Sequence, residues 1–179
     1  MRSLFISILF TFTIPSFACP KLAGTWNQCS ISTEFLNPVE LLAVNVALKS
    51  YTFKFSNPRP NIINAKITKS NFFSSPDIIL DEVSVIGKNN TSIWDKNIVE
   101  GSTAPIFTIF YECTNSGMNE YSIWENLTIQ NYPDHAHKDF PKYYKSVYSV
   151  SGNKITRNLY SRKSPEEKYG LIARITCKK

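Results

Sequence analysis

After its first 18 residues this chain has no long apolar run, only two histidines, no Cys-x-x-Cys pair, no Gly-x-Ser-x-Gly elbow and no glycine-rich phosphate loop. Each absence removes a class of function. Without a second apolar stretch of about 20 residues, no membrane-spanning helix is expected in the body of the chain. The four cysteines, Cys19, Cys29, Cys113 and Cys177, are too widely spaced for a zinc knuckle and have no histidine near them in sequence, so no metal is expected. The missing elbow and phosphate loop leave no signature of a serine hydrolase or a nucleotide-dependent enzyme, and no cofactor is expected. Acidic neighbours such as Asp81-Glu82 and Glu166-Glu167 would point to opposite sides of a strand, which makes them poor acid–base pairs. His135 and His137, in "YPDHAHKDFP", sit in loop-like composition. An enzyme reading would have to use them, and the expectation is that the chain is not an enzyme.

What is present begins with an export signal. Residues 1–18, "MRSLFISILFTFTIPSFA", carry a single charge at Arg2, an apolar run to Ile14, a proline, and small residues at Ser16 and Ala18. That pattern is a signal peptide cut after Ala18, and Phe17 does not suit the cleavage site of a lipid-anchored protein. Residues 19–179 then form one domain with no linker or low-complexity tract, expected in a secreted or periplasmic setting, where an even number of cysteines favours two disulfides. Three motifs, at Asn89, Asn90 and Asn126, match glycosylation acceptors.

Loss of Arg2 with the signal takes the formal net charge from +6 to +5. The distribution is uneven: residues 134–179 hold 11 basic and 4 acidic side chains. The C-terminal third could therefore offer a basic face to an anionic surface or polymer. The basic residues are scattered rather than clustered, so nucleic acid is not an expected partner.

Period-two alternation dominates the chain. "YTFKFSN" sets Tyr51, Phe53 and Phe55 against Thr52 and Lys54, and "PIFTIFYECTN" sets Phe107, Ile109, Tyr111 and Cys113 against Thr108 and Glu112. "NEYSIWENLTIQN" places Tyr121, Ile123, Leu127 and Ile129 on one parity; "INAKITK" and "DEVSVIG" alternate over shorter lengths. Ser151-Gly152-Asn153 reads as a tight hairpin turn, and "YGLIARITC" as the last strand. The count is eight to ten strands. One segment departs from this: in residues 33–50 Phe35, Val39, Leu42 and Val46 recur at helical steps after an Asn37-Pro38 start. Leu42, Val44, Val46 and Leu48 also alternate as a strand would; a helix after the first strand is the expectation. Many antiparallel strands with short turns and no β-α-β rhythm indicate a sandwich or a closed barrel.

The segment "CPKLAGTW" ahead of the first strand resembles the Gly-x-Trp motif of the lipocalins and their calycin relatives, including the fatty-acid-binding proteins. The resemblance implies an all-β, closed antiparallel up-and-down barrel, with Gly24 turning the chain into strand one and Trp26 plugging the closed end. It further implies that Arg174 on the last strand packs across the Trp26 indole, or alternatively anchors an anionic ligand. The helix after strand one would fall where fatty-acid-binding proteins carry their lid. Departures are a missing Thr-Asp-Tyr-like loop, no helix after the last strand, and Thr176 where a ligand-holding tyrosine would stand.

In such a barrel the segment before strand one lies beside the end of the last strand. Of the three connectivities that four cysteines allow, Cys19–Cys177 with Cys29–Cys113 is therefore expected. The implied function is carriage or sequestration of a small hydrophobic or amphipathic ligand, lipids included, in a cavity lined by Tyr51, Phe53, Phe55, Phe107, Ile109 and Tyr111, with Arg174 as a further candidate. The alternative is an interaction or inhibitor module that uses its loops and basic face around a filled interior.

Overall fold

The computed structural model describes residues 19, 21–71, 75–93, 106–124 and 141–179. Residues 1–18, expected to be the signal peptide, and Asn126, Leu127, Ile129, His135 and His137 lie outside the described residues. The described residues form ten antiparallel strands and one helix in the order β1 (Gly24–Ser32), α1 (Pro38–Leu48), β2 (Tyr51–Arg59), β3 (Ile62–Lys69), β4 (Asp77–Val85), β5 (Asn89–Ile93), β6 (Ile106–Thr114), β7 (Gly117–Trp124), β8 (Tyr143–Ser151), β9 (Lys154–Arg162) and β10 (Gly170–Lys178). They make one sheet in the order β4-β3-β2-β1-β10-β9-β8-β7-β6-β5. The first and last strands are thus neighbours at its centre, and every other pairing joins consecutive strands.

The sheet folds back on itself. Strands β2 and β8 are four neighbours apart, about 19 Å in a flat sheet at the usual strand spacing. Yet the Phe55 ring on β2 meets the Tyr148 ring on β8 edge-on, with centroids 5.7 Å apart. Among the described residues no ladder joins the two outermost strands, β4 and β5, so the sheet is not closed and the expected closed barrel is corrected to an open, folded-over sheet. What links them is the Asn90 side chain: its Oδ1 accepts from Val85 N–H (2.7 Å), and its Nδ2 donates to the carbonyls of Val85 (3.0 Å) and Lys88 (2.9 Å). Asn90 is therefore a clamp at the end of the sheet, with the nitrogen a glycan would need already engaged.

The tight connections, residues 60–61, 86–88, 115–116 and 152–153, all fall at one end of the meander. The tight-turn end is plugged. Leu22 N–H bonds back to the Cys19 carbonyl (3.0 Å), and the Leu22 carbonyl accepts from Trp26 Nε1 (3.1 Å), so a turn of chain tucks beneath the indole. Trp26, Leu22, Met118 and Ile63 are wholly buried there or nearly so. Gly24 enters β1 at φ +146°, a backbone conformation that a side chain would strain. At Gly117 a Cβ would collide with the Tyr148 carbonyl across the β7/β8 pair.

Strand β1 serves two partners. Its first half pairs with β2 (Trp26↔Phe53) and its second with β10 (Ser30↔Thr176), with Gln28 at φ +48° in the irregularity between them. This register places Cys29 beside Cys177, and the two form a disulfide; Cys19, carried under the sheet by its turn, bonds to Cys113 on β6. The expected pairing is thereby corrected. The first and last strands are direct neighbours, so the cysteine within β1 reaches the one in β10, while Cys19 lies beyond the strand and crosses to the far wall.

Helix α1 carries the expected cap: Asn37 Oδ1 accepts from the N–H groups of Val39 and Glu40 (both 3.0 Å), and Glu40 Oε2 accepts from Asn37 N–H (3.1 Å). It is held to β1 mainly by a polar clasp. Asn45 Oδ1 accepts from Ile31 N–H (2.6 Å), and Asn45 Nδ2 donates to the Ile31 carbonyl (3.0 Å). The clasp turns Leu41, Val44 and Leu48 toward the sheet, all half-buried, and leaves the periodic stripe of Val39, Leu42 and Val46, with Phe35 before it, facing outward.

Candidate functional site

Inside the folded sheet lies a cavity of about 90 Å³, walled by Phe53 and Phe55 (β2), Ala65 and Ile67 (β3), Leu80 (β4), Ile109 (β6), Ile155 (β9) and Ile175 (β10). Four of the aromatic and aliphatic residues expected from sequence, Phe53, Phe55, Ile109 and Tyr111, meet on this wall. Tyr51 and Phe107 do not line it; Phe107 packs against the buried core instead. Arg174 is corrected in both of its roles. Side chains alternate along β10, so with Ala173 and Cys177 buried, Arg174 faces outward, exposed, its Nε donating to Asn158 Oδ1 (2.9 Å). The cation over the Trp26 ring is Lys179, with Nζ 4.8 Å from the centroid.

The cavity also has a charged side that the alternation concealed. Glu82, Tyr111, Glu120, Tyr148 and Arg157 all line it. Arg157 Nη2 pairs with Glu120 Oε1 at 3.1 Å. Nε and Nη2 of the same guanidinium donate to Ser146 Oγ (3.0 and 2.9 Å), and Tyr148 Oη donates to Glu120 Oε2 (2.9 Å). The guanidinium also lies 5.3 Å from the Tyr148 ring centroid. Cross-strand register builds this knot: Glu120 stands opposite Ser146, and Tyr148 opposite Arg157. Every charge in it has a hydrogen-bonded partner, as a buried ion pair requires.

Glu82 is different. It reaches the same cavity from β4 with no cation paired to it among the described residues. Burial, with the Glu120 charge adding to it, raises its pKa to about 7. Burial likewise pushes the Tyr148 phenol well above its ordinary range, and the Tyr111 phenol is raised by burial and by both carboxylates. At neutral pH the cavity therefore holds one fixed ion pair, two phenols that keep their protons, and one carboxyl close to half-ionised.

Sequence reasoning missed this cluster because two strands turn their polar parity inward. On β4, Ser84 is buried and Glu82 faces the cavity, whereas Val83 is two-thirds exposed; on β7, Glu120 and Ser122 face in and Ile123 faces out. The outward Tyr121 is covered on the exterior by Phe110 and by Lys145, whose Nζ lies 5.2 Å from its centroid.

Among the described residues no group of three or more His, Cys, Asp or Glu side chains is placed to hold a metal ion, and no helix is long and apolar enough to cross a membrane. The arrangement offers apolar contact, one ion pair and one titratable carboxyl to whatever enters it. No family model, curated protein or solved structure matches this chain.

Proposed function

We propose that this chain is an exported binding protein that carries or sequesters a small amphipathic molecule inside its folded sheet, in the manner of a calycin. The observation that carries the reading is the cavity, with an apolar wall on one side and a satisfied polar knot on the other, the usual composition of a small-molecule site. The ten-strand meander, the neighbouring first and last strands, the buried Trp26 and the helix after β1 support the calycin part of it. Two disulfides suit an oxidising compartment.

Size limits the ligand. Pockets for drug-sized molecules measure roughly 300–1,000 Å³, and a dry cavity of about 150 Å³ accommodates benzene. A cavity of about 90 Å³ holds a group smaller than that. The buried part of the ligand is thus a handful of heavy atoms.

The alternative, an interaction module with a filled interior, draws on the outward stripe of Phe35, Val39, Leu42 and Val46, each more than half exposed. Backbone and methyl NMR during titration with 1-butanol separates the two. Saturable shifts centred on Phe53, Ile109 and Ile155, fitting one site per chain, are expected. Shifts confined to α1 would overturn the cavity reading.

A further inference from the structure

The fixed charges around the cavity do not balance. Two cations border it, and each is already paired: Arg157 with Glu120 (3.1 Å), and Lys66 with Asp81 (3.1 Å), the latter two on a half-exposed cross-strand pair between β3 and β4. Glu82 is the carboxylate left over. Among the described residues, the titratable groups that share the cavity with it are Glu120 from β7, Tyr111 from β6, Tyr148 from β8 and Arg157 from β9; Lys66 on β3 is paired instead with Asp81, its cross-strand neighbour. None of these supplies Glu82 with an uncommitted positive charge. An anionic ligand entering here would meet Glu82 and would have to compete with Ser146 and Glu120 for Nε and Nη2 of Arg157. A neutral ligand would leave Glu82 facing an apolar wall. A cation would complete the pairing, and the rings of Phe53, Phe55, Tyr111 and Tyr148 add π faces that attract positive charge.

We propose that the cavity takes an organic ammonium ion bearing a short apolar substituent, its charge against the Glu82 carboxylate and its hydrocarbon against Phe53, Phe55 and Ile109. This rests on the reading of the interior as a ligand site and names the ligand's chemistry. Since Glu82 titrates near neutrality while an alkylammonium stays protonated to about pH 10, such a ligand is held above pH 7 and released as the carboxyl takes up its proton below it.

Three four-carbon probes of similar shape test this on the disulfide-bonded protein: n-butylammonium, 1-butanol and butanoate, each titrated by NMR at pH 8. The ammonium should bind at least about tenfold more tightly than the alcohol, and butanoate more weakly than either. Glu82→Gln should bring the ammonium down to the alcohol's affinity and leave the alcohol unchanged. In the unmodified protein, lowering the pH from 8 to 6 should weaken the ammonium by about tenfold, following the ionised fraction of Glu82, and spare the alcohol. This arm decides the matter if the variant does not fold. Equal affinities for ammonium and alcohol, an ammonium preference that survives Glu82→Gln, or tightest binding of butanoate would each overturn the inference while leaving the cavity reading intact. If none of the probes shifts an interior signal, the cavity reading falls and the inference falls with it.

Discussion

Replacing Arg157 by methionine removes the cation of the interior knot and keeps much of its volume. What is left behind is the Glu120 carboxylate, only 13% exposed at its side chain, with Glu82 as a second negative charge across the cavity. Ser146 Oγ also loses the donors that faced it. Removing one partner of a fully buried pair costs about 3–5 kcal/mol. Because 28% of the Arg157 side chain remains accessible, water can enter and solvate part of the orphaned charge, so we place the cost at about 2–3 kcal/mol. In a domain of this size each kcal/mol moves the melting point by about 2–4 °C, so a fall of about 4–12 °C is expected. Denaturant titration followed by the fluorescence of the buried Trp26 reads the same quantity. The companion variant, Arg157→Met with Glu120→Leu, removes both charges and should recover most of the loss, since replacing a buried pair with apolar side chains is often neutral. If the single variant costs less than about 1 kcal/mol, or the double variant costs the sum of the two singles, the knot is not the coupled unit described here.

Three further outcomes follow from the same geometry. The pKa of Glu82 in the fold, about 7, lies above its ordinary 4.5, so the folded state binds this proton more tightly than the unfolded one. The contribution of Glu82 to stability should be fully present below about pH 4.5 and be lost as pH rises through about 7. Glu82→Gln should therefore raise the denaturant midpoint at pH 8 and change it little at pH 4.5; an equal change at both would refute the assignment. Arg174→Ala should stay within about 0.5 kcal/mol of the parent, whereas Lys179→Ala, which removes the cation over Trp26, should cost about 0.5–1 kcal/mol. The reverse ranking would restore the Arg174 contact that the exposed position of that side chain argues against. Non-reducing peptide mapping should recover Cys19 linked to Cys113 and Cys29 linked to Cys177, and a Cys19–Cys177 peptide would contradict the placement of β1 against β10.

The strands were legible in the sequence because alternation and turn chemistry are local. β2, β3, β6, β8, β9 and β10, and α1 with its Asn37 cap, fall where "YTFKFSN", "INAKITK", "PIFTIFYECTN", the Ser151-Gly152-Asn153 hairpin, "YGLIARITC" and Asn37-Pro38 place them. Phe53, Phe55, Ile109 and Tyr111 on the cavity wall followed from the apolar parity of β2 and β6. The charged side did not, for a specific reason. Alternation separates the two faces of a strand but says which faces inward only when the interior is apolar. Here Glu82 and Glu120 sit inside because Arg157 and two phenols are there to receive or border them, and that requires knowledge of which strands oppose one another. Arg174 failed in a related way: it lies three residues from Cys177, an odd interval, so it cannot share that cysteine's inward face. The stripe on α1 reads correctly as a helix, but its outward direction is not legible, because Asn45 fixes the rotation by hydrogen bonds to Ile31.

The Cys29–Cys177 bond has a mechanical consequence. A pull applied to the chain on either side, before Cys19 and after Cys177, travels along residues 19–29, crosses the sulfur bridge and leaves through the last two residues. Nearly all of the ten strands hang off this load path as an unstressed loop. Stretched to the limit, the loaded segment gives about 40 Å, against more than about 500 Å for the same chain with its bridges reduced. In an oxidising setting the cavity and its walls are therefore shielded from tension on the termini, and reduction places the whole sheet in series with the applied force.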